Sequence, residues 1–247
     1  MKRIKKDGFL SWRLVVLHPK NRVITRVLGK IFNKLLLISF FPVFVLGIYA
    51  LCSGYSRAYV SEGNFWITYF ISIFLSMTLH EIAHSCAAWD YGGKVNEMGL
   101  LLSPILPGAY VELEYGHLKN RFHRAQIVAA GVEMNLFLAG FSLCLSVFPK
   151  MNYYFLFIFF VTNLLLALVN LTLVYGIDGM HIFSEMIGTD NLIINALLLI
   201  LDRNQCRKLK KRGVNGRATV FVSKVVLGIQ ILLPILVVVN IAAIFLG

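Results

Sequence analysis

Residues 75–89 read LSMTLHEIAHSCAAW, and they continue a run, 65–79, in which nearly every residue is apolar or carries a small hydroxyl. A run of this kind is long enough to cross a bilayer as a helix, yet its last turns hold two imidazoles and a carboxylate. His80 and His84 are four residues apart. On a helix both rings therefore leave one face, a turn apart, and can close on a single divalent ion. Glu81 stands beside the first of them. In an HExxH pattern that glutamate is no ligand: it takes a proton from the attacking water and can return one to the leaving group. An ionisable residue at the centre of a membrane helix costs about 2.5–3.5 kcal/mol, so this trio is a candidate functional site. The plainer alternative is a histidine pair satisfied by hydrogen bonds inside a helix bundle.

Working outward, the whole chain shares this apolar character. It has 247 residues, of which 58% are hydrophobic and 15% charged, with a mean hydropathy of +0.74. That excludes an ordinary soluble domain and predicts an all-α polytopic membrane protein. Spans are expected over residues 35–52, 65–89, 125–148, 153–176 and 219–245. The apolar stretch 191–201 is too short to cross and is read as a re-entrant or interfacial helix. Residues 1–34 form a basic cytoplasmic or interfacial segment with affinity for anionic lipid, and 35–247 a single membrane domain.

The formal charge of +12 does not point to nucleic acid, because the basic residues gather on one side of the spans. With the N-terminus in the cytoplasm, ten Lys or Arg fall in 1–34, four in 90–124 and seven in 202–217, so that 21 of the 24 lie inside. Localisation in a cell membrane follows, with HEIAH in the cytoplasmic third of the second span. Cys52, Cys86, Cys144 and Cys206 are scattered singly, without metal-site or disulfide spacing.

A second informative stretch is 170–179, NLTLVYGIDG, at the end of the expected fourth span. Asp178 is the only acid between Glu133 and Glu185. A catalytic zinc wants three protein ligands and one open position, and a carboxylate from another helix suits the third place. The same aspartate could instead cap the next segment. Between the second and third spans, 92–116 is rich in Gly and Pro around the β-prone AYVEL, which predicts a small β-rich loop, a re-entrant hairpin or an edge strand able to add a substrate strand.

Together these stretches resemble the site-2 protease family of intramembrane zinc metalloproteases, in a small bacterial form without PDZ or CBS domains. HEIAH in a membrane helix, Asn170 with Asp178 eight residues on in an Asp-Gly pair, SPILPGAYVELE at 103–114 and AGVEMN at 130–135 carry the likeness, which covers about 66–185. The chain departs from the family in lacking a proline before Asp178, with Leu173 and Val174 there, and in having a carboxylate at Glu133.

The resemblance implies His80, His84 and Asp178 as zinc ligands, Glu81 as general base, and Asn135 and Asn170 near the active site, where their amides would hold substrate or the oxyanion. Either asparagine could equally be interhelical glue. Glu133 is expected to pair with Arg121 or Arg124 at the membrane surface, the sharper option being a contact to a basic substrate residue. His181 and Glu185 could reach the metal's surroundings but are expected to face the cytoplasm. The implied function is hydrolysis of a peptide bond in a membrane-embedded or membrane-associated peptide or single-span protein, in peptide maturation or regulator release. Two alternatives remain: a metallopeptidase with Glu185 as third ligand, and a transporter or immunity-type protein whose ionisable residues line an ion path.

Overall fold

The computed structural model describes residues 4–7, 11–19, 23–55, 64–102, 108–172 and 177–187, together with two single helical positions, Val225 and Gly228. The chain divides into two compact units, residues 1–170 and 171–247.

In the first unit, α1 (Val23–Cys52) is thirty residues long. It starts twelve residues before the expected span. Arg26, Lys30 and Lys34 are spaced by four and all exposed, so the cations form one stripe with their stems along the helix while Gly29, Asn33 and Leu36 face inward. The basic residues decorate the helix without interrupting it.

Asparagines open the next three helices, each accepting a backbone N–H that the first turn would leave bare. Asn64 accepts from Ile67 at 3.2 Å and starts α2 (Phe65–Tyr91). Asn120 accepts from Phe122 at 2.9 Å and starts α3 (Arg121–Leu145), and Asn152 accepts from Phe155 at 3.0 Å ahead of α4 (Tyr153–Asn170). All four helices are long and apolar enough to cross a membrane, which bears out four of the expected spans among the described residues. The fourth ends at Asn170, six residues short of the expected boundary at 176. The expected segments 191–201 and 219–245 lie outside the described residues, apart from the two single positions in the latter.

The most enclosed helix is α3, with 72% of its apolar window buried against 17% for α1. It packs on α1, α2 and α4. Gly47 of α1 and Gly140 of α3 make the first of these contacts so close that a Cβ on either would run into the other helix's backbone. Close approach through small residues is the usual way for membrane helices to associate, since lipid gives no hydrophobic drive. Ala130, Met134 and Leu138 of α3 meet Ala83, Ala87 and Ala88 of α2 in one core with Leu36 and Phe159.

Between α2 and α3 the chain forms the expected hairpin, β3 (Lys94–Leu102) and β4 (Gly108–Glu114), paired antiparallel with Gly99 opposite Tyr110. The N-terminal segment adds two strands that the sequence reading had not assigned. Ile4–Asp7 and Ser11–Leu17, here β1 and β2, extend the sheet to the antiparallel order β1-β2-β3-β4, with Trp12 opposite Leu102. At the other edge, β4 packs on α2 and no further strand pairs with it among the described residues.

In the second unit, α5 (Asp178–Ile187) is a separate short helix opened by Asp178. Asp178 therefore belongs to the first turn of a new helix, not to the end of the fourth span.

Candidate metal and catalytic site

Both histidines of HEIAH are buried on the side of α2 that meets α3. Their outer nitrogens are held. His84 Nδ1 lies 2.8 Å from the backbone carbonyl of Ile127 on α3; a carbonyl only accepts, so Nδ1 donates and the lone pair of a neutral ring falls on Nε2. His80 Nδ1 lies 3.0 Å from the amide of Asn135, four residues beyond Gly131 on the same helix. So fixed, the two Nε2 atoms converge to 3.0 Å. Two imidazoles bound tetrahedrally at about 2.0–2.1 Å from a zinc ion hold their nitrogens roughly 3.3 Å apart, so only a small adjustment separates the pair from that geometry.

Gly131 of α3 leaves the space in front of this pair. A Cβ there would fall on Cε1 and Nε2 of His80 and on Nε2 of His84. The donor chemistry and the cradle both fit a divalent metal ion.

Glu81 points elsewhere. With Thr78 and Ile82 on its own helix, it walls a cleft of about 230 Å³ whose far side is built by Met98, Leu100 and Tyr110 of the hairpin. The three α2 positions share a helix face because they are three and four apart. Tyr110 donates its hydroxyl to Glu97 across the hairpin at 3.3 Å. The helix also satisfies small hydroxyls locally: Ser76 donates to the Ser72 carbonyl at 2.7 Å, and Ser85 to that of Glu81 at 3.1 Å.

Of the other expected residues, Asn170 is the half-buried last residue of α4, whereas Asn135 is fully enclosed against His80. Asp178 is half-buried in its own unit and has a polar partner. His181 is exposed and Glu185 half-buried on α5. Glu133 corrects an expectation. It is buried in the middle of α3 with Oε2 lacking a hydrogen-bond partner, while Arg121 and Arg124 stand at the helix start, roughly 13–18 Å away along the axis. Arg124 instead donates to the Leu118 carbonyl at 2.9 Å.

Sequence reasoning missed three contributors. Gly131 stood inside the quoted AGVEMN stretch, and its four-residue offset from Asn135 was the signal available. The Ile127 carbonyl has no side-chain signature. Asn33, buried in α1, donates to Asp90 at 2.9 Å and so keeps a carboxylate near the end of α2 accompanied.

No curated protein matches the chain. Residues 68–151, about a third of its length, match the model of Peptidase family M50. That stretch holds HEIAH, the β3–β4 hairpin, Gly131 and Asn135, so over these residues the chain is similar to Peptidase family M50, the site-2 protease family.

Proposed function

We propose that this chain is an intramembrane zinc metalloendopeptidase. It cleaves a membrane-embedded or membrane-associated peptide or single-span protein near the cytoplasmic leaflet, with its own N-terminus in the cytoplasm. The observation that carries the reading is the 3.0 Å convergence of the His80 and His84 Nε2 atoms in front of Gly131, with Glu81 beside them on an open cleft. Asp178 is our proposed third ligand beside His80 and His84, because two imidazoles and a carboxylate make a donor set suited to zinc with one position left over.

When bound, the ion would polarise the scissile carbonyl and make water more acidic. The chain's own residues supply the rest. Glu81 accepts a proton from the attacking water on its carboxylate and hands one to the departing amide nitrogen. Ile82, Met98 and Leu100 give the cleft apolar walls beside that transfer. The edge of β4 away from β3, on which no further strand pairs among the described residues, offers main-chain donors and acceptors to an extended substrate segment. A peptide bond held that way has left its own helix, which is the precondition for attack.

The test is metal content and cleavage of a panel of membrane-spanning peptides by detergent-purified protein, comparing wild type, Glu81→Gln and Asp178→Asn. One zinc per chain is expected in wild type and Glu81→Gln, less in Asp178→Asn. Cleavage by Glu81→Gln should fall by about 10²–10⁴-fold. Full zinc in Asp178→Asn would move the third ligand to another residue such as Glu185. Absence of stoichiometric metal throughout would overturn the reading in favour of an ion path.

A further inference from the structure

The cleft walled by Glu81 is built mostly of apolar residues. Leu17 of β2 lies opposite Met98 of β3, and Leu100 of β3 opposite Ala109 of β4. Met98 and Leu100 are two residues apart, so all four side chains stand on one face of the sheet. They line the same cleft as Thr78, Glu81 and Ile82 of α2. The hydroxyls on its walls are engaged elsewhere: Thr78 donates to the Phe74 carbonyl at 2.7 Å, and Tyr110 to Glu97 at 3.3 Å. Among the described residues Glu81 is the only charged one that lines the cleft.

Size limits what can enter. The cleft measures about 230 Å³. Clefts that take a whole drug-sized ligand run to about 300–1,000 Å³, whereas an apolar cavity of about 150 Å³ accepts a molecule the size of benzene. One leucine, methionine or phenylalanine side chain is the occupant of matching scale. Ala109 is buried, while Leu17 is 55% exposed at the rim and gains when an apolar group covers it. Leu17 also lies outside the residues 68–151 that match family M50, so this part of the wall comes from the N-terminal strand β2.

We propose that this cleft receives one bulky apolar side chain of the substrate, from a residue beside the scissile bond, and that Leu17 is a specificity-determining residue that completes it. This rests on the peptidase reading above and deepens it, naming the substrate class as peptides with leucine, methionine or phenylalanine at that position. Glu81 sets the register. To take a proton from the attacking water it must come within about 2.6–3.2 Å of it, so a side chain lodged beside Glu81 belongs to a residue within one or two of the cut. Charged side chains are refused. Their heads would lose hydration among Ile82, Met98 and Leu100; a carboxylate would also be repelled by Glu81, and a cation would hold that carboxylate in an ion pair and blunt it as a base.

The experiment uses full-length, zinc-loaded protein in detergent. The probe is the membrane-spanning peptide that wild type cuts fastest, its cut mapped by mass spectrometry, remade with Leu, Phe, Ala, Lys or Asp at each of the two positions on either side of the bond. At one of these positions Leu and Phe should exceed Ala by about 10–200-fold in kcat/KM, with Lys and Asp below Ala. Leu17→Ala should shrink the Leu-to-Ala ratio by about tenfold, and Leu100→Ala, on the opposite strand, should do the same. A merely structural lesion lowers both peptides alike and leaves the ratio where it was. Equal cleavage of the Leu and Ala peptides at all four positions, or a preference for Lys, overturns the inference, the first leaving the cleft to lipid and the second making it an ion-pair site. A ratio that stays at the wild-type value in both variants removes Leu17 and the cleft from substrate selection. Cleavage of no peptide by zinc-loaded wild type would instead refute the peptidase reading itself, an outcome distinct from all of these.

Discussion

Gly131→Ala puts one methyl group where the structure leaves room for an ion. The added Cβ falls well inside contact distance of Cε1 and Nε2 of His80 and of Nε2 of His84. Ordinary carbon contacts need about 3.5–4.0 Å, so something has to move by roughly 1 Å. The rings cannot swing aside cheaply. His84 is tied to Ile127 at 2.8 Å and His80 to Asn135 at 3.0 Å, both on the same helix as the new methyl. Either those bonds break or α3 backs away from α2, and in both cases the Nε2 pair loses its convergence. A shift of about 1 Å in a functional constellation costs on the order of 100-fold, and overpacking of this kind destabilises by about 1–3 kcal/mol. We expect Gly131→Ala to bind zinc about 100-fold more weakly in chelator competition and to melt lower. Gly140→Ala is the comparison: its Cβ meets the α1 backbone at Val43 and Phe44, so it should melt lower too but keep its zinc affinity. Wild-type zinc affinity in Gly131→Ala would refute the cradle, and equal zinc loss in both variants would reduce the effect to general loosening of α3.

Other perturbations probe the hairpin and the polar contacts around it. The backbone N–H groups of Tyr110 and Val111 point to opposite edges of β4, so of Tyr110→Pro and Val111→Pro one breaks the ladder to β3 and the other removes a donor from the edge away from β3. Both should depress cleavage of a membrane-spanning peptide with zinc still bound by metal analysis, and unchanged cleavage in both would sink the strand-addition step. Asn33→Leu leaves Asp90 without the donor that reaches it at 2.9 Å; the expected loss of about 1–3 kcal/mol appears in thermal melting, and an unshifted transition would mean that water replaces the amide without penalty.

What could be read from the sequence follows the strength of local signals. HEIAH was legible because ligand spacing and helix period coincide, and the hairpin because Gly and Pro bracket β-prone residues that pair with their near neighbours, Gly99 with Tyr110. The N-terminal strands were not, since β2 finds its partner in β3, with Trp12 opposite Leu102 some ninety residues away, and nothing local announces a long-range pair. The start of α1 was hidden by Arg26, Lys30 and Lys34, whose charges look like interruptions until their spacing of four is laid on a helix. Glu133 failed for the opposite reason: charge suggested a surface, whereas α3 is buried by neighbours on three sides. Polar partners across helices, such as Asn135 with His80, depend on helix rotation that no single segment encodes.

One consequence of helix geometry ties the two sides of the site together. Successive residues on α2 differ by about 100° in direction, so His80 and Glu81 leave the helix in different directions. His80 and His84 turn to α3, which supplies their orienting bonds and the space before them. Glu81, with Thr78 and Ile82, turns to the cleft under β4. The proposed metal seat is thus walled by α3, and the carboxylate that would move protons lines the cleft. On the proposed reading a substrate strand has to arrive along β4, from the sheet side, and the reacting carbonyl has to lie at the seam between Glu81 and the Nε2 pair. A helix entering from the α3 side would meet the most enclosed element of the unit, where Gly131 leaves room for an ion but not for a backbone.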